Sequence, residues 1–386
     1  MELLTKKLID TNYFGKGDLI FKGKNSFEKL NVLDLFSGCG GISLGFYSTG
    51  KFNIAGAIDF DDAAIKTFKL NFPEALCTLG DISTQNPKSF ENHKIDVIVG
   101  GPPCQGFSSL NRHYKDLKND PRNKLFYEFL RYVDYLRPKA ILIENVPQIL
   151  TQNNGEAKIA IVNMLNELGY NVIYFIANAT EFGVPQKRRR AIFIATLKSI
   201  STISIRDIDK YKSSRIVTVK DAIMDLYQLE SSYSGSNIDV YEYPKSKKPN
   251  KYIKHIVFKE SKYIFNHRIF YSTEKVINRM KFVPQGGNWK NVPENLLPSV
   301  RSNRHSNYLK RLHEDLPSIT IDTGHSVYYH PIFNRNPTVR ESARLQSFSD
   351  NFLFYGTFGQ QLKQVGNAVP PLLAKNLAEL IWEKIK

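Results

Sequence analysis

Ile95-Asp96-Val97-Ile98-Val99-Gly100-Gly101-Pro102-Pro103-Cys104-Gln105-Gly106-Phe107-Ser108 is the stretch on which the fold turns. Its first half is a short β-branched run and reads as a buried strand. Its second half cannot continue that strand, because two glycines and two prolines fix an unusual backbone. Cys104 therefore sits in a loop just past a strand's carboxyl end, the edge at which open α/β sheets bind ligands. A lone cysteine is ordinarily a small core hydrophobe. A Pro-Pro-Cys-Gln loop is a poor core segment and a good mount for a nucleophile. The small residues after it let a planar ligand come close.

Upstream, Asn31 to Phe36 reads as a first strand. Ser37-Gly38-Cys39-Gly40-Gly41 follows as a glycine turn, and a helix opens at Ile42. Strand, glycine turn and helix make a unit in which backbone approaches a ligand closely. The pattern is neither GxGxxG nor a P-loop, which speaks against a nicotinamide cofactor. A second strand runs from about Phe52 to Ile58 and ends in Asp59; a third ends at Gly80-Asp81-Ile82. Asp59 is placed to accept from both hydroxyls of a ribose. It also suits a helix N-cap, with Asp61 and Asp62 adding charge to the next first turn. Asp81 is either an acceptor for an adenine amino group or an ordinary strand-end carboxylate. Phe36, Asp59 and Asp81 thus end three successive strands on one edge, which suits a nucleoside with a positively charged sulfur nearby.

Downstream, residues 111–123 are polar and read as a loop able to close over a substrate. Leu125, Phe126, Phe129, Leu130 and Val133 predict an amphipathic helix that Pro138 stops. Ala140 to Val146 is a further buried strand carrying Glu144 near its end, as a candidate acid-base group or a solvated acid. A helix over Glu156 to Leu168 closes at Gly169, and Asn171 to Ala177 is a strand. Gln186-Lys187-Arg188-Arg189-Arg190 leads into the strand Ala191 to Thr196; it is a solvated loop, or it holds phosphates or a base oxygen. From Leu197 to about Leu316 the α/β rhythm stops. Val283 to Trp289 is turn-rich, and Tyr252, Tyr263, Phe265, Tyr271 and Trp289 alternate with Lys and Arg. This reads as a small second domain, its aromatics packing a core or meeting bases. Ile319-Thr320-Ile321 returns to strand. Val339 to Phe348 is helical, with Thr338 and Glu341 as a capping box. Gly366 to Pro371 is a turn before a final helix over Leu372 to Ile385.

With 386 residues, 42% of them hydrophobic, the chain has room for about two domains with a normal core. No apolar run of about 18 residues appears, and Met1 to Asp10 lacks a signal-peptide core. The three cysteines form no CxxC pair, which argues against structural zinc and disulfides and for a reducing compartment. The formal charge is +16. Residues 241–310 alone carry 15 Lys and Arg against 4 Asp and Glu. Such a surface is merely soluble, or it meets a polyanion.

Asp34 to Gly41, Gly100 to Ser108, Glu144-Asn145-Val146, Gln186 to Arg190, Arg340 to Phe348 and Gly366 to Pro371 resemble, in this order, the motifs of the cytosine-C5 DNA methyltransferases of bacterial restriction-modification systems. The resemblance spans nearly the whole chain from residue 31. It implies an α/β, Rossmann-like, S-adenosyl-methionine-dependent methyltransferase sheet with a second, smaller target recognition domain. Residues 1–30 would be an extension, 31–199 the catalytic and cofactor domain, 200–316 the recognition domain, and 317–386 a return to the catalytic domain. By resemblance, Cys104, Glu144, Arg188 and Arg190 are catalytic. Phe36, Gly38, Gly40, Asp59, Phe60, Asp81, Ile82, Pro103, Leu125 and Asn367 contact S-adenosyl-methionine. Gln105, Ser108 and Thr320 contact DNA, and no metal takes part. The resemblance further implies a monomer acting on double-stranded DNA in the cytoplasm, at the nucleoid and not at a membrane, with a cognate restriction endonuclease as partner. Asp59 stands where many relatives carry Glu, and Arg189 is an extra arginine. The rival expectations are a tRNA cytosine-5 methyltransferase and a non-catalytic DNA-binding regulator.

Overall fold

The computed structural model describes residues 28–103, 124–232, 239–243, 249–256, 263–270, 272–297, 307–323 and 328–386. Cys104, Gln105, Ser108, Tyr271, the polar stretch 111–123 and residues 1–27 of the expected extension lie outside them.

Seven strands form one sheet: β1 (Leu30–Leu35), β2 (Phe52–Asp59), β3 (Leu76–Leu79), β4 (Ile95–Gly100), β5 (Ala140–Asn145), β6 (Tyr170–Asn178) and β7 (Arg189–Leu197). Their order is β3-β2-β1-β4-β5-β7-β6. The first five run parallel, and β7 runs antiparallel to both of its neighbours. The helices are α1 (Gly41–Tyr47), α2 (Asp62–Asn71), α3 (Lys124–Leu136), α4 (Glu156–Glu167), α5 (Ile205–Asp209), α6 (Val219–Ile223), α7 (Lys251–Ile256), α8 (Glu274–Lys281), α9 (Val339–Leu345), α10 (Phe358–Asn367) and α11 (Pro371–Ile385).

Parallel strands are covered on both faces, so they read as nearly continuous apolar runs. Within a run, alternate side chains still go to opposite faces. Val32, Val97 and Leu142 join α1, α2 and α11 in one core. Leu33, Leu35, Ile98 and Ile143 join α3 and α4 in the other. Phe126, Phe129, Leu130 and Val133 all turn inward from α3, as the apolar spacing predicts.

Register then sets out the working edge. Leu35 lies opposite both Ile58 and Gly100, Gly100 opposite Ile143, and Asp59 opposite Leu79. Asp59, Phe36, Gly101 and Glu144 therefore sit side by side at the carboxyl ends of β2, β1, β4 and β5. At about 4.8 Å per strand, the row spans roughly 14 Å. Gly100 permits the tight β1–β4 approach, since a Cβ there would stand 2.1 Å from the Leu35 carbonyl oxygen. Because β7 is antiparallel, it starts where β5 ends. That brings Arg188 to Arg190 to the same edge as Glu144.

The segment after β7 does not separate cleanly from the sheet. Ile208, Val219, Ile223, Tyr252 and Ile253 pack in the same core as α11 and β1. A smaller cluster of Met280, Val283, Val292, Leu309 and Tyr329 stands apart. Three local expectations are corrected. Ile319 to Ile321 is not a strand: Ser318 makes one isolated bridge to Gln186. Side chains take the neighbouring backbone instead, Gln186 Oε1 accepting from Ile321 N at 3.1 Å and Arg188 Nη1 donating to Ile321 O at 3.3 Å. The helix expected to reach Phe348 ends at Leu345, with Ser347 at φ 69°. Gly366 and Asn367 close the last turn of α10 rather than forming a free turn. Among the described residues no helix is long and apolar enough to cross a membrane.

Candidate active site

β1 ends in strain. Phe36 has φ 59°, a left-handed conformation rare for an aromatic residue and often found at functional sites. Gly38 follows at φ 53°, with open space where a Cβ would stand. The turn is tied to β2 by Asp59, whose Oδ2 accepts from Gly38 N at 2.7 Å and whose Oδ1 accepts from Asp61 N at 2.9 Å. Burial pushes the Asp59 carboxyl above the usual carboxylate range, and these two backbone donors partly offset that. Each oxygen retains a lone pair for a ligand hydroxyl. Asp59 is not a helix cap: Asp61 is, accepting from Ala63 and Ala64 N. Phe60 is 75% exposed beside Asp59, an unusual position for a phenyl ring and a flat surface for a planar ligand.

Asp81 is exposed and accepts from Ser83 N at 2.8 Å. Ile82 is buried under it in the α3 core, where Leu125 packs as well. Gly40 opens α1 at φ 95°. Asn367, at the end of α10, precedes Ala368 and Val369, against which Gly41 packs. So Phe36, Gly38, Gly40, Asp59, Phe60, Asp81 and Asn367 gather around the ends of β1 to β3. An open glycine turn, a buried carboxylate and an exposed ring fit the nucleoside part of S-adenosyl-methionine.

The second cluster lies at β4, β5 and β7. Arg190 Nε stands 2.7 Å from Glu144 Oε1. This is an ion pair by distance, but its N–H does not point along the line, and Oε1 makes no aligned hydrogen bond. A Cβ at Gly101 would stand 3.4 Å from a Glu144 carboxylate oxygen, so the glycine lies beside that group. Asn145 Nδ2 donates to Pro102 O at 2.9 Å, and Asn145 Oδ1 accepts from Val146 N at 2.9 Å. This amide fixes the Pro102-Pro103 run against Glu144, and Cys104 is the next residue. Sequence reasoning gave Asn145 no role; only its place beside Glu144 signalled it.

Arg188 is 1% exposed. Nη1 donates to Ile321 O and Nη2 to Asn367 O at 3.5 Å, while Nε has no hydrogen-bond partner. Burial and the neighbouring Arg190 push its pKa down to about 9, so it stays charged at neutral pH. It links the Asn367 end of the nucleoside cluster to Thr320, the neighbour of Ile321. Thr320 Oγ1 donates to Lys187 O at 2.7 Å. Gln186 is fully buried and ties the run leading into β7 to the C-cap of α9, its Nε2 donating to Gln346 Oε1 at 3.0 Å.

Two cysteines lie within the described residues. Cys39 is buried, donates to Gln364 O at 3.6 Å, and has its thiol pushed far up by burial. Burial raises the Cys77 thiol to about 11. Neither is an activated thiolate at neutral pH.

The sequence model of the C-5 cytosine-specific DNA methylases matches residues 30–383. The chain is similar to the Type II methyltransferase M1.HphI of Haemophilus parahaemolyticus, 35% identical over 91% of this chain and 86% of that one. It is 36% identical to the Type II methyltransferase M.DdeI of Desulfomicrobium norvegicum, over 91% and 88%. Among crystal structures it resembles a prophage-encoded E. coli chain described as a candidate DNA modification methyltransferase, with a TM-score of 0.73, 28% identity and 92% and 99% coverage. The Dnmt2 methyltransferase of S. pombe shares the fold at a TM-score of 0.59 and 19% identity, covering 92% and 99%.

Proposed function

The chain belongs to the C-5 cytosine-specific DNA methylase family, and on that premise we propose that it methylates carbon 5 of a flipped-out cytosine in one short duplex DNA sequence. It is a DNA (cytosine-5-)-methyltransferase of the Type II restriction-modification kind. The observation that carries the detailed reading is the row of Asp59, Phe36, Gly101 and Glu144 along one edge, with Asn145, next to Glu144, holding Pro102 two residues before Cys104.

Phe36, Gly38, Asp59, Phe60 and Asp81 hold the nucleoside of S-adenosyl-methionine, with Gly40, Ile82, Pro103, Leu125 and Asn367 completing its surroundings. When bound, the cofactor supplies an electrophilic methyl group on a positively charged sulfur. Carbon 5 of cytosine is a poor nucleophile, so the protein must first change the ring. The Cys104 thiolate adds to carbon 6 and raises electron density at carbon 5. Glu144 holds or protonates ring N3, which stabilises the adduct. Arg190 orients Glu144, and Arg188 presents a buried positive charge toward the base oxygen or its phosphate. Once carbon 5 carries the methyl group, its proton leaves to a base, the electron pair reforms the ring double bond, and the thiolate departs. The base must leave the duplex, at a cost of a few kcal/mol. Gln105, Ser108 and Thr320 meet the flipped nucleotide.

Target reading falls to the part standing apart from the sheet core, centred on the Met280–Leu309 cluster. The enzyme works as a monomer in the cytoplasm at the nucleoid, and a cognate endonuclease cuts the same site when it is unmethylated. Bisulfite sequencing of plasmid DNA incubated with this protein and S-adenosyl-methionine tests the proposal, with pooled tRNA in parallel. Protected cytosines in one short DNA context are expected. Modified tRNA with untouched DNA would overturn it.

A further inference from the structure

A groove of about 570 Å³ opens beside Arg190 and Thr320, on the outer side of the β6–β7 end. Its lining includes the cations Lys187 and Arg189 and the apolar side chains Ile216, Leu316 and Pro317. Neither Lys187 nor Arg189 belongs to the motif roles assigned above. Along the extended run into β7, side chains alternate. Arg188 turns to Ile321 and Asn367 and Arg190 to Glu144, so Lys187 and Arg189 face away from that buried side and are exposed. Among the described residues no carboxylate pairs with either, and the groove lining contains no Asp or Glu. Ile216 and Leu316 are 63% and 48% exposed, an apolar wall left open to water. The two runs that supply Lys187 and Thr320 are tied together: Lys187 N donates to Ser318 O at 2.8 Å, Ser318 N to Pro185 O at 2.9 Å, and Thr320 Oγ1 to Lys187 O.

A cleft lined both by two cations with no paired carboxylate and by exposed aliphatic side chains fits a sugar-phosphate backbone. Phosphate meets the cations and deoxyribose meets the aliphatic wall. We propose that this groove holds the DNA backbone next to the flipped cytosine, with Lys187 and Arg189 each on a phosphate and Ile216 and Leu316 against the sugar. The proposal rests on the DNA methyltransferase reading. Thr320, which meets the flipped nucleotide, and Arg190, which pairs with Glu144, both line the groove, so a backbone lying in it is continuous with that nucleotide.

The test is binding of a duplex carrying the methylated site to the full chain across a salt series. Wild type is compared with Lys187→Ala, Arg189→Ala, Arg189→Lys and Leu316→Ala. Each lost phosphate contact should reduce the slope of log K against log salt by about one. Arg189→Ala and Lys187→Ala should show that reduction, Arg189→Lys should restore the wild-type slope, and Leu316→Ala should weaken binding with the slope unchanged. Wild-type slopes in both alanine variants would overturn the groove assignment while leaving the methyltransferase reading intact. A wild-type protein that binds no duplex at any salt would instead sink the functional reading itself. A slope change seen only with tRNA would give the groove to an RNA backbone and overturn the proposal.

Discussion

At Asn145 a single amide decides where the Pro102-Pro103 run leaves the sheet, because its two polar atoms grip Pro102 O and Val146 N. Replacing it with Ala frees the Pro102-Pro103 run that leads to Cys104 without touching the Asp59 end. Turnover should fall roughly ten- to a hundredfold, the scale of a misplacement of about 1 Å, while cofactor affinity stays level. Single-turnover kinetics with cofactor titration check this, and unchanged turnover would remove Asn145 from the account. Residue positions were legible in the sequence where the local pattern forces them, as with Glu144 near the end of an apolar strand or glycines in the first turn. They were hidden where a side chain serves another's backbone. Gln186 and Arg188 satisfy the backbone of Ile321, and no pattern in Ile319-Thr320-Ile321 tells that from a strand partner.

At the scale of elements, α9 is the joint between the sheet core and the variable segment. All of its seven residues are buried. Thr338 and Glu341 form the expected capping box, and Thr338 Oγ1 also meets His267 Nδ1 at 2.9 Å. Arg340 donates to Phe265 O, Ser349 O and Phe352 O. Arg344 forks onto both oxygens of Asp350 at 2.9 and 2.7 Å and reaches Asp225 Oδ1 at 2.6 Å. Removing one member of such a network strands buried charge. Arg344→Met should therefore cost about 3–5 kcal/mol in chemical denaturation; a loss below about 1 kcal/mol would mean that water reaches Asp350. The strands of the sheet were legible because parallel, doubly covered strands must be apolar and β-branched. α10 was not, since Phe358–Asn367 has two glycines and five glutamine, lysine or asparagine side chains. Its Thr357–Gln360 capping box was the overlooked signal.

For the whole molecule, the sequence marks the end of the α/β rhythm at Leu197, whereas the core continues beyond it. Composition changed there because the chain leaves the sheet, but Ile208, Val219, Ile223, Tyr252 and Ile253 still complete the α11 face. Short helices at irregular spacing carry those contacts, and no periodicity reveals them. The two possible exchanges with a relative then differ in outcome. Exchange of residues 272–309 keeps Phe265 and His267 on their α9 anchors and should change the methylated sequence while leaving the chemistry in place. Exchange of 200–316 removes part of the sheet's own core and should give unfolded protein. Bisulfite profiles of the two chimaeras check this; a 272–309 chimaera with the original target would move sequence reading elsewhere.

The proposed chemistry rests on one sulfur–carbon bond. A duplex with 5-fluorocytosine at the methylated position keeps a fluorine where the proton must leave, so elimination stalls and the adduct persists. Incubation with S-adenosyl-methionine, proteolysis and mass mapping would then locate the attached residue. The account predicts the nucleotide on the peptide containing Cys104. No adduct, or attachment at Cys39 or Cys77, would contradict it.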